Sequence, residues 1–168
     1  MHTELVAIQP RKNFDFHIIH HSHNDIGYSH LQTEVEKIQT ENIYKAIRWS
    51  IVPYPNDCQP IWHIESLWAV DNFMKQASKE EIALFIQKVK EGRIVLSANY
   101  ANVLNGLCQP EELNWIVAYS KRLEKEYGIR IQNAMITDIP GITYDALNMY
   151  VQNNIPYLSL NSPILQRM

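Results

Sequence analysis

The sequence has too few cysteines for a disulfide framework or a thiolate metal cluster, since only Cys58 and Cys108 occur among its 168 residues. It contains no apolar run of about 18 residues, so no transmembrane span is predicted. Residues 1–14 contain no apolar core of a signal peptide, and we therefore take a cytoplasmic location as the default expectation. The net charge is −3 and no basic patch is present, which argues against nucleic acid as the main partner.

The composition is that of a globular protein, with 46% apolar and 20% charged residues. The length allows one domain of ordinary size. We find no internal repeat, low-complexity tract or linker, so the whole chain is treated as one unit.

Short apolar runs rich in β-branched and aromatic residues alternate with amphipathic stretches. Buried strands are predicted at 16–20, 61–65, 93–98, 134–137 and 156–160. Helices are predicted at 33–50, 78–91, 110–127 and 144–153. The alternation predicts right-handed βαβ units and hence an α/β fold with parallel strands. Five strands fit either a small open sheet or part of a barrel.

Local signals mark several helix ends. Ser78 and Glu81 have the spacing of a capping box, in which each side chain accepts a hydrogen bond from the other's backbone N–H. Pro110 suits the first helical turn, and Gly128 can take the left-handed conformation that ends a helix. Thr143 is predicted as the N-cap of the last helix.

Polar side chains of the kind that bind ligands follow the predicted strands. HHSHNDIGY (20–28) follows the first strand, Glu65 ends the second and Asp138 ends the fourth. The residues after the third strand are Asn99, Tyr100, Asn102 and Asn105. Because ligands bind at the carboxyl edge of parallel strands, we expect the functional site there.

His23 and Asp25 are the first candidate metal ligands. Extended backbone points residues two apart in the same direction, so both side chains can reach one ion. Imidazole nitrogen and carboxylate oxygen both bind zinc at about 2.0–2.2 Å. The alternative is a polar loop with hydrogen-bonded side chains. His21 shares their parity and is expected to orient the site from behind.

Asp138 is the second anchor, because a carboxylate between an apolar strand and a Pro-Gly turn is held at the sheet edge. Aspartate is also common at such turns without any ligand. Asp138 is therefore a metal candidate only together with the His23–Asp25 motif.

These segments together resemble glycoside hydrolase family 38, the α-mannosidases. HSHNDIGY (21–28) is similar to the family signature H-S-H-N-D-x-G-W, and TDIPG (137–141) is similar to its nucleophile segment. IESLWAVDNF (64–73) and KEGRIVLSANYAN (90–102) resemble its second-strand and third-strand segments. The resemblance follows the family's order from about residue 14 to residue 162.

The resemblance implies that residues 1–168 are the N-terminal part of a catalytic domain, the first five strands of a seven-stranded β/α barrel. The implied activity is zinc-dependent, retaining hydrolysis of α-mannosidic or related glycosidic bonds in a carbohydrate substrate. His23, Asp25 and Asp138 would hold Zn²⁺, and Asp138 would also be the nucleophile. A fourth zinc ligand and the general acid would lie beyond Met168, in the downstream remainder of the domain, so that the isolated chain would be incomplete.

Four further residues are expected to contact substrate: Tyr28, Glu65, Tyr100 and Asn105. Tyr28 stands where the family usually has a tryptophan under the sugar. Tyr100 offers an aromatic face to a pyranose, although packing explains this residue equally well. Glu65 is expected to accept a hydrogen bond from a sugar hydroxyl or a metal-bound histidine, or to pair with a lysine or arginine.

Two other functions remain open. In a metal-dependent carbohydrate deacetylase, the metal would activate water and Asp138 would be a base or a ligand rather than a nucleophile. A non-catalytic fragment would bind carbohydrate or a partner polypeptide without turnover.

Overall fold

The computed structural model describes residues 18–23, 25–28, 30–54 and 60–161. Residues 16–17 of the first predicted strand, and Cys58, lie outside the described residues.

Strands and helices alternate along the described chain. The strands are β1 (His20–His21), β2 (Trp62–Ile64), β3 (Ile94–Leu96), β4 (Asn133–Thr137) and β5 (Tyr157–Asn161). The α-helices are α1 (Gln32–Ile51), α2 (Leu67–Gln76), α3 (Lys79–Lys90), α4 (Pro110–Tyr127) and α5 (Tyr144–Gln152). No helix among these is both long enough and apolar enough to cross a membrane.

All paired strands are parallel, which confirms the predicted α/β class. β2 lies between β1 and β3 in one sheet, and β4 pairs with β5 in another. Two hydrogen bonds connect β4 of the second sheet to the chain that follows β3 of the first. The Ala98 N–H donates to the Asn133 carbonyl (2.8 Å), and the Met135 N–H donates to Ser97 Oγ (2.9 Å). The described residues thus form five strands in two small sheets, and a seven-stranded barrel is not seen.

Helix α2 is absent from the sequence-based prediction. It begins soon after β2, and its buried residues Leu67, Val70 and Phe73 recur at helical spacing, so the pattern is present in the sequence although it is not assigned to a helix there. Its buried residues are Leu67, Ala69, Val70, Asn72 and Phe73. Its first N–H groups are satisfied by the chain after β3, since Leu67 N and Trp68 N donate to the carbonyls of Asn99 and Tyr100. These contacts depend on the tertiary structure, and no local sequence signal announces them.

The predicted helix ends are confirmed. Ser78 Oγ accepts from Glu81 N at 3.2 Å, and Glu81 Oε2 accepts from Ser78 N at 2.7 Å. Gly128 ends α4 with φ 60°, in the left-handed region that suits glycine. Thr143 Oγ1 accepts from Ala146 N and caps α5.

The hydrophobic core holds the helices against the strands. Phe73 of α2 packs against Tyr44 of α1 and Phe85 of α3, with ring centroids 5.2 Å apart in both pairs. Phe73 and Phe85 are fully buried, which stabilises the fold by about 1.5–3 kcal/mol each. The same core includes Ile64 of β2 and Leu96 of β3, so the packed helices also hold the carboxyl ends of these strands.

Candidate metal and active site

The three predicted metal ligands meet at the carboxyl edge of the strands. His23 and Asp25 follow β1, and Asp138 directly follows β4. One ligand atom from each lies within 4.8 Å of the others, and His23 Nε2 is 3.5 Å from Asp25 Oδ1. Two segments more than a hundred residues apart in sequence thus contribute to one cluster.

The donor set fits a zinc ion. Two ligands at about 2.1 Å from a tetrahedral zinc lie about 3.4 Å apart, close to the observed separation of His23 from Asp25. The ligand atoms of the three residues lie up to 4.8 Å apart. Because all three residues are exposed, rotation of their side chains can bring these atoms within bonding distance of one ion. A divalent cation with two carboxylates and one neutral imidazole is roughly charge-balanced, which lowers the cost of removing water from the site.

Asp138 has a left-handed backbone conformation, with φ 55°. This conformation costs most residues about 1–2 kcal/mol, and aspartate is among the residues that tolerate it. The segment that follows is held by the buried side chain of Asn105, whose Nδ2 donates to the Gly141 carbonyl (3.3 Å) and whose Oδ1 accepts from Thr143 N (2.7 Å). Asn105, predicted to contact substrate, therefore supports the Asp138 loop in this structure.

Glu65 lies behind His23 and is only 6% exposed. His23 Nδ1 is 2.9 Å from Glu65 Oε1, and Asn102 Nδ2 donates to the same oxygen at 2.6 Å. The Thr137 hydroxyl also donates to Oε1. Of the alternatives considered for Glu65, the structure shows contact with a candidate metal-binding histidine, and its ion-pair partners within the described chain are histidines.

His21 lies on the other side of this carboxylate. Its Nδ1 is 3.4 Å from Glu65 Oε2, which is an electrostatic contact rather than a good hydrogen bond. His21 therefore borders the cluster from behind the candidate ligands, as its parity in the sequence suggested.

The local charges favour a proton or another cation on His23. Burial lowers the pKa of His23, but the hydrogen bond and charge of Glu65 raise it, and so do the carboxylates of Asp25 and Asp138. The net effect is a raised pKa. Because a metal ion needs the unprotonated nitrogen, metal binding at this cluster must compete with protons.

A cavity of about 270 Å³ opens beside the cluster. His23, Asp25 and Asp138 line it, and helix α1 contributes Gln39 and Asn42, which sequence reasoning missed. Their only sequence signal is that both are polar residues on an amphipathic helix, a property shared by most exposed helix positions.

Tyr28 and Tyr100 have different surroundings. Tyr28 is 88% exposed, and Tyr100 donates its hydroxyl to Asp71 Oδ2 (2.9 Å) while its ring packs against Tyr119. Neither is among the described residues that line the cavity. Tyr100 takes part in packing between α2 and α4.

The fold and the cluster together define a parallel α/β protein with a candidate metal site at the carboxyl edge of its strands. No family model matches the sequence, and no curated protein matches it significantly.

The chain is similar to two solved structures. One is an alpha-mannosidase from Enterococcus faecalis V583, with a TM-score of 0.70 and 16% identity over 84% of this chain. The other is a protein in glycosyl hydrolase family 38 from Enterococcus faecalis, with a TM-score of 0.65 and 15% identity over 83% of this chain. This chain spans 16% of the length of each. The resemblance to family 38 noted in the sequence is thus confirmed at the level of the fold.

Proposed function

We propose that this chain is the N-terminal part of a zinc-dependent, retaining glycosidase of the α-mannosidase type in family 38. The observation that carries the proposal is the convergence of His23, Asp25 and Asp138 at one point of the strand edge. The similarity of the fold to an alpha-mannosidase supports it independently.

Zinc held by His23, Asp25 and Asp138 would supply a Lewis-acidic centre that binds neighbouring sugar hydroxyls and orients the ring. In the proposed reaction, an oxygen of Asp138 forms a bond to the anomeric carbon while the bond from that carbon to the leaving-group oxygen breaks. The leaving oxygen takes a proton from an acid supplied by the rest of the protein. Water then cleaves the covalent glycosyl-enzyme, returns its proton to that acid and frees Asp138.

The cavity offers groups suited to sugar hydroxyls. Asn102 lines it, and its buried Oδ1 has no hydrogen-bond partner within the described part of the chain. A buried acceptor of this kind is costly unless it is paired, so a hydroxyl of a bound sugar would satisfy it. Asn102 therefore joins Tyr28 as a proposed substrate contact.

We further propose that residues 1–168 form the first five strands of a seven-stranded β/α barrel. Among the described strands, β5 pairs only with β4, which leaves its other edge free for a further strand. The last βα unit exposes Val151 (72%) and Tyr157 (66%), two apolar side chains that further units would cover. The fourth metal ligand and the general acid would come from those units.

Zinc binding by the chain tests the metal site. Titration calorimetry should show one zinc ion per chain, and Asp25→Asn and Asp138→Asn should each weaken binding at least tenfold, because each removes a charged ligand. Asn tolerates the left-handed backbone at position 138, so loss of binding in that variant would not reflect a refolded loop. Asp145→Asn, an exposed change at the start of α5, is the matched control. Undiminished affinity in Asp138→Asn would remove this residue from the site.

The nucleophile is tested in the protein that contains the complete domain. A slow fluorinated α-mannoside should leave a covalent sugar on the peptide that contains Asp138, detected by mass spectrometry. Turnover of the substrate without any such adduct would favour a deacetylase-like reaction, in which Asp138 is only a ligand or base.

A further inference from the structure

Glu65 is the buried centre of a hydrogen-bond cluster that joins both segments of the proposed metal site. Its carboxylate lies within hydrogen-bond distance of His23 Nδ1, which follows β1, and accepts hydrogen bonds from Asn102, which follows β3, and from Thr137 at the end of β4. Thr137 directly precedes Asp138. The Glu65 side chain is therefore the physical link between the two loops that carry the candidate ligands.

The contacts around Glu65 favour one of the two ring nitrogens of neutral His23 as the site of the proton. An ionised carboxylate can only accept hydrogen bonds, so Nδ1 must be the donor at its distances of 2.9 and 3.2 Å from the two Glu65 oxygens. Thr137 Oγ1 lies 2.9 Å from the same nitrogen, and its hydroxyl proton is used for Glu65. With the proton on Nδ1, the lone pair of neutral His23 is on Nε2, the atom that faces Asp25 at 3.5 Å.

We infer that Glu65 is a positioning residue, whose carboxylate fixes His23 in the Nδ1–H tautomer and so leaves the Nε2 lone pair on the side of Asp25 and the proposed metal site. Burial strengthens this effect. Glu65 is 6% exposed, so water competes little for its carboxylate and the contact with His23 does not depend on bound substrate. Asn102 and Thr137 in turn fix the carboxylate, because both donate to Oε1.

The inference differs from the expectation that Glu65 contacts substrate. A residue acting through His23 changes the imidazole tautomer and the affinity for metal even when no sugar is present. Carboxylate partners of this kind typically change metal affinity by about 10–100-fold. The metal part of the inference rests on the proposed function, whereas the tautomer part does not.

The tautomer is measured directly by ¹⁵N–¹H correlation spectra of the ring nitrogens in the metal-free chain, at a pH where His23 is neutral. The wild-type chain should show the Nδ1–H form. Glu65→Ala removes the acceptor and allows the Thr137 hydroxyl to donate to Nδ1, so the Nε2–H form should dominate. Glu65→Gln keeps an acceptor oxygen and should retain a large share of the Nδ1–H form, which provides the test if the alanine variant fails to fold.

The control is Asp71→Ala, which removes a half-buried carboxylate elsewhere in the fold that has hydrogen-bonded partners of its own. It should destabilise the fold without changing the His23 tautomer, and its zinc affinity should stay within about twofold of wild type. Zinc affinity in Glu65→Ala should fall by about 10–100-fold. A general loss of stability would affect both variants, whereas loss of positioning affects only the change at Glu65.

The outcomes separate this inference from the proposed function. If wild type binds zinc while Glu65→Ala retains both the tautomer and the affinity, the inference is wrong and the metal site remains. If wild type binds no zinc but the tautomer changes as described, Glu65 still positions His23 and the proposed function fails. An Nε2–H tautomer in the wild-type chain would overturn the inference by itself.

Discussion

At the scale of single residues, the candidate site includes a residue in the left-handed backbone conformation, which residues other than glycine rarely adopt. Asp138 has φ 55°, and the hydrogen bonds of Asn105 hold the chain immediately beyond it. This conformation interrupts the extended backbone directly after β4, which ends at Thr137. Residues held in this way are frequent at functional sites, where the surrounding structure offsets their cost.

Comparison of Asp138→Gly with Asp138→Ala tests this conformation. Both variants remove the carboxylate, so the change in charge cancels between them. Glycine takes positive φ without steric cost, and the glycine variant should be more stable by about 1 kcal/mol. The measurement is urea unfolding of the metal-free chain. A more stable alanine variant would show that residue 138 is not left-handed.

Tyr150 is the residue through which alkaline pH should act on the core. Burial raises the pKa of Tyr150 to about 12, although the hydrogen bond with Asn99 opposes this shift. Because the folded pKa lies above the unfolded value of about 10, the stability from neutral Tyr150 is complete below pH 10. It is lost as the pH rises through about 12.

Tyr150→Phe should therefore be less stable than wild type at pH 7, by about 1 kcal/mol for the lost hydrogen bond to Asn99. The difference should narrow as the pH rises above 10, since the variant has no phenol to ionise at this position. Unfolding curves of both chains across pH 7–12 give the comparison. A difference that stays constant with pH would contradict the assigned burial of the hydroxyl.

At the scale of elements, helix α2 joins the site to the rest of the fold. Its first N–H groups bond to the chain after β3, and its Asp71 accepts from Tyr100 (2.9 Å) and pairs with Lys75 (2.8 Å). Burial raises the pKa of Asp71, but hydrogen bonds from Lys75 and Tyr100 outweigh it and hold the pKa below its usual value. Asp71 thus stabilises the packing between α2 and the segment after β3.

The sign of the pH effect follows from the lowered pKa. The stability that ionised Asp71 contributes is present above the unfolded pKa of about 3.9 and is lost as the pH falls through the lower folded value. Asp71→Asn should cost about 1 kcal/mol at pH 7, and its difference from wild type should shrink as the pH falls below 4. Chemical unfolding at pH 3–7 measures this change, with exposed Asp145→Asn as the control for loss of a carboxylate without these partners. A stability difference between Asp71→Asn and wild type that grows as the pH falls would be incompatible with the pairing of Asp71 and Lys75.

At the scale of the whole molecule, the described residues provide only one side of the proposed active site. Their cavity contains the proposed nucleophile, whereas the acid and the fourth ligand are proposed to come from further units of the domain. The chain spans 16% of the length of the solved structures that it resembles. Binding of a metal and turnover of a substrate are therefore separable properties.

The isolated chain should bind zinc but hydrolyse aryl α-mannosides at or near the background rate. The reason is that the proposed general acid belongs to the rest of the domain, and acid–base catalysis of this kind contributes typically about 10²–10⁴-fold. Release of the aryl alcohol, followed spectroscopically with zinc supplied, measures this. Robust turnover that disappears in Asp138→Asn would show that the 168 residues already contain a complete site.

The sequence alone predicted the alternation of strands and helices and most helix ends, and with the family resemblance it pointed to the three side chains of the candidate metal cluster. These features depend on local physics: the period of apolar residues, the chemistry of capping groups, and the direction of residues two apart after a strand. The parity of His23 and Asp25 and the position of Asp138 after a strand contain enough information to place them at one edge.

Only the tertiary structure decided that Glu65 lies behind His23, that Asn105 supports the Asp138 loop, and that α2 fills the gap between β2 and α3. Each of these depends on the register and spacing of segments far apart in the chain, such as the 42 residues between His23 and Glu65. A buried carboxylate has no sequence signature distinct from an exposed one, because its role is defined by the donors that other strands bring to it.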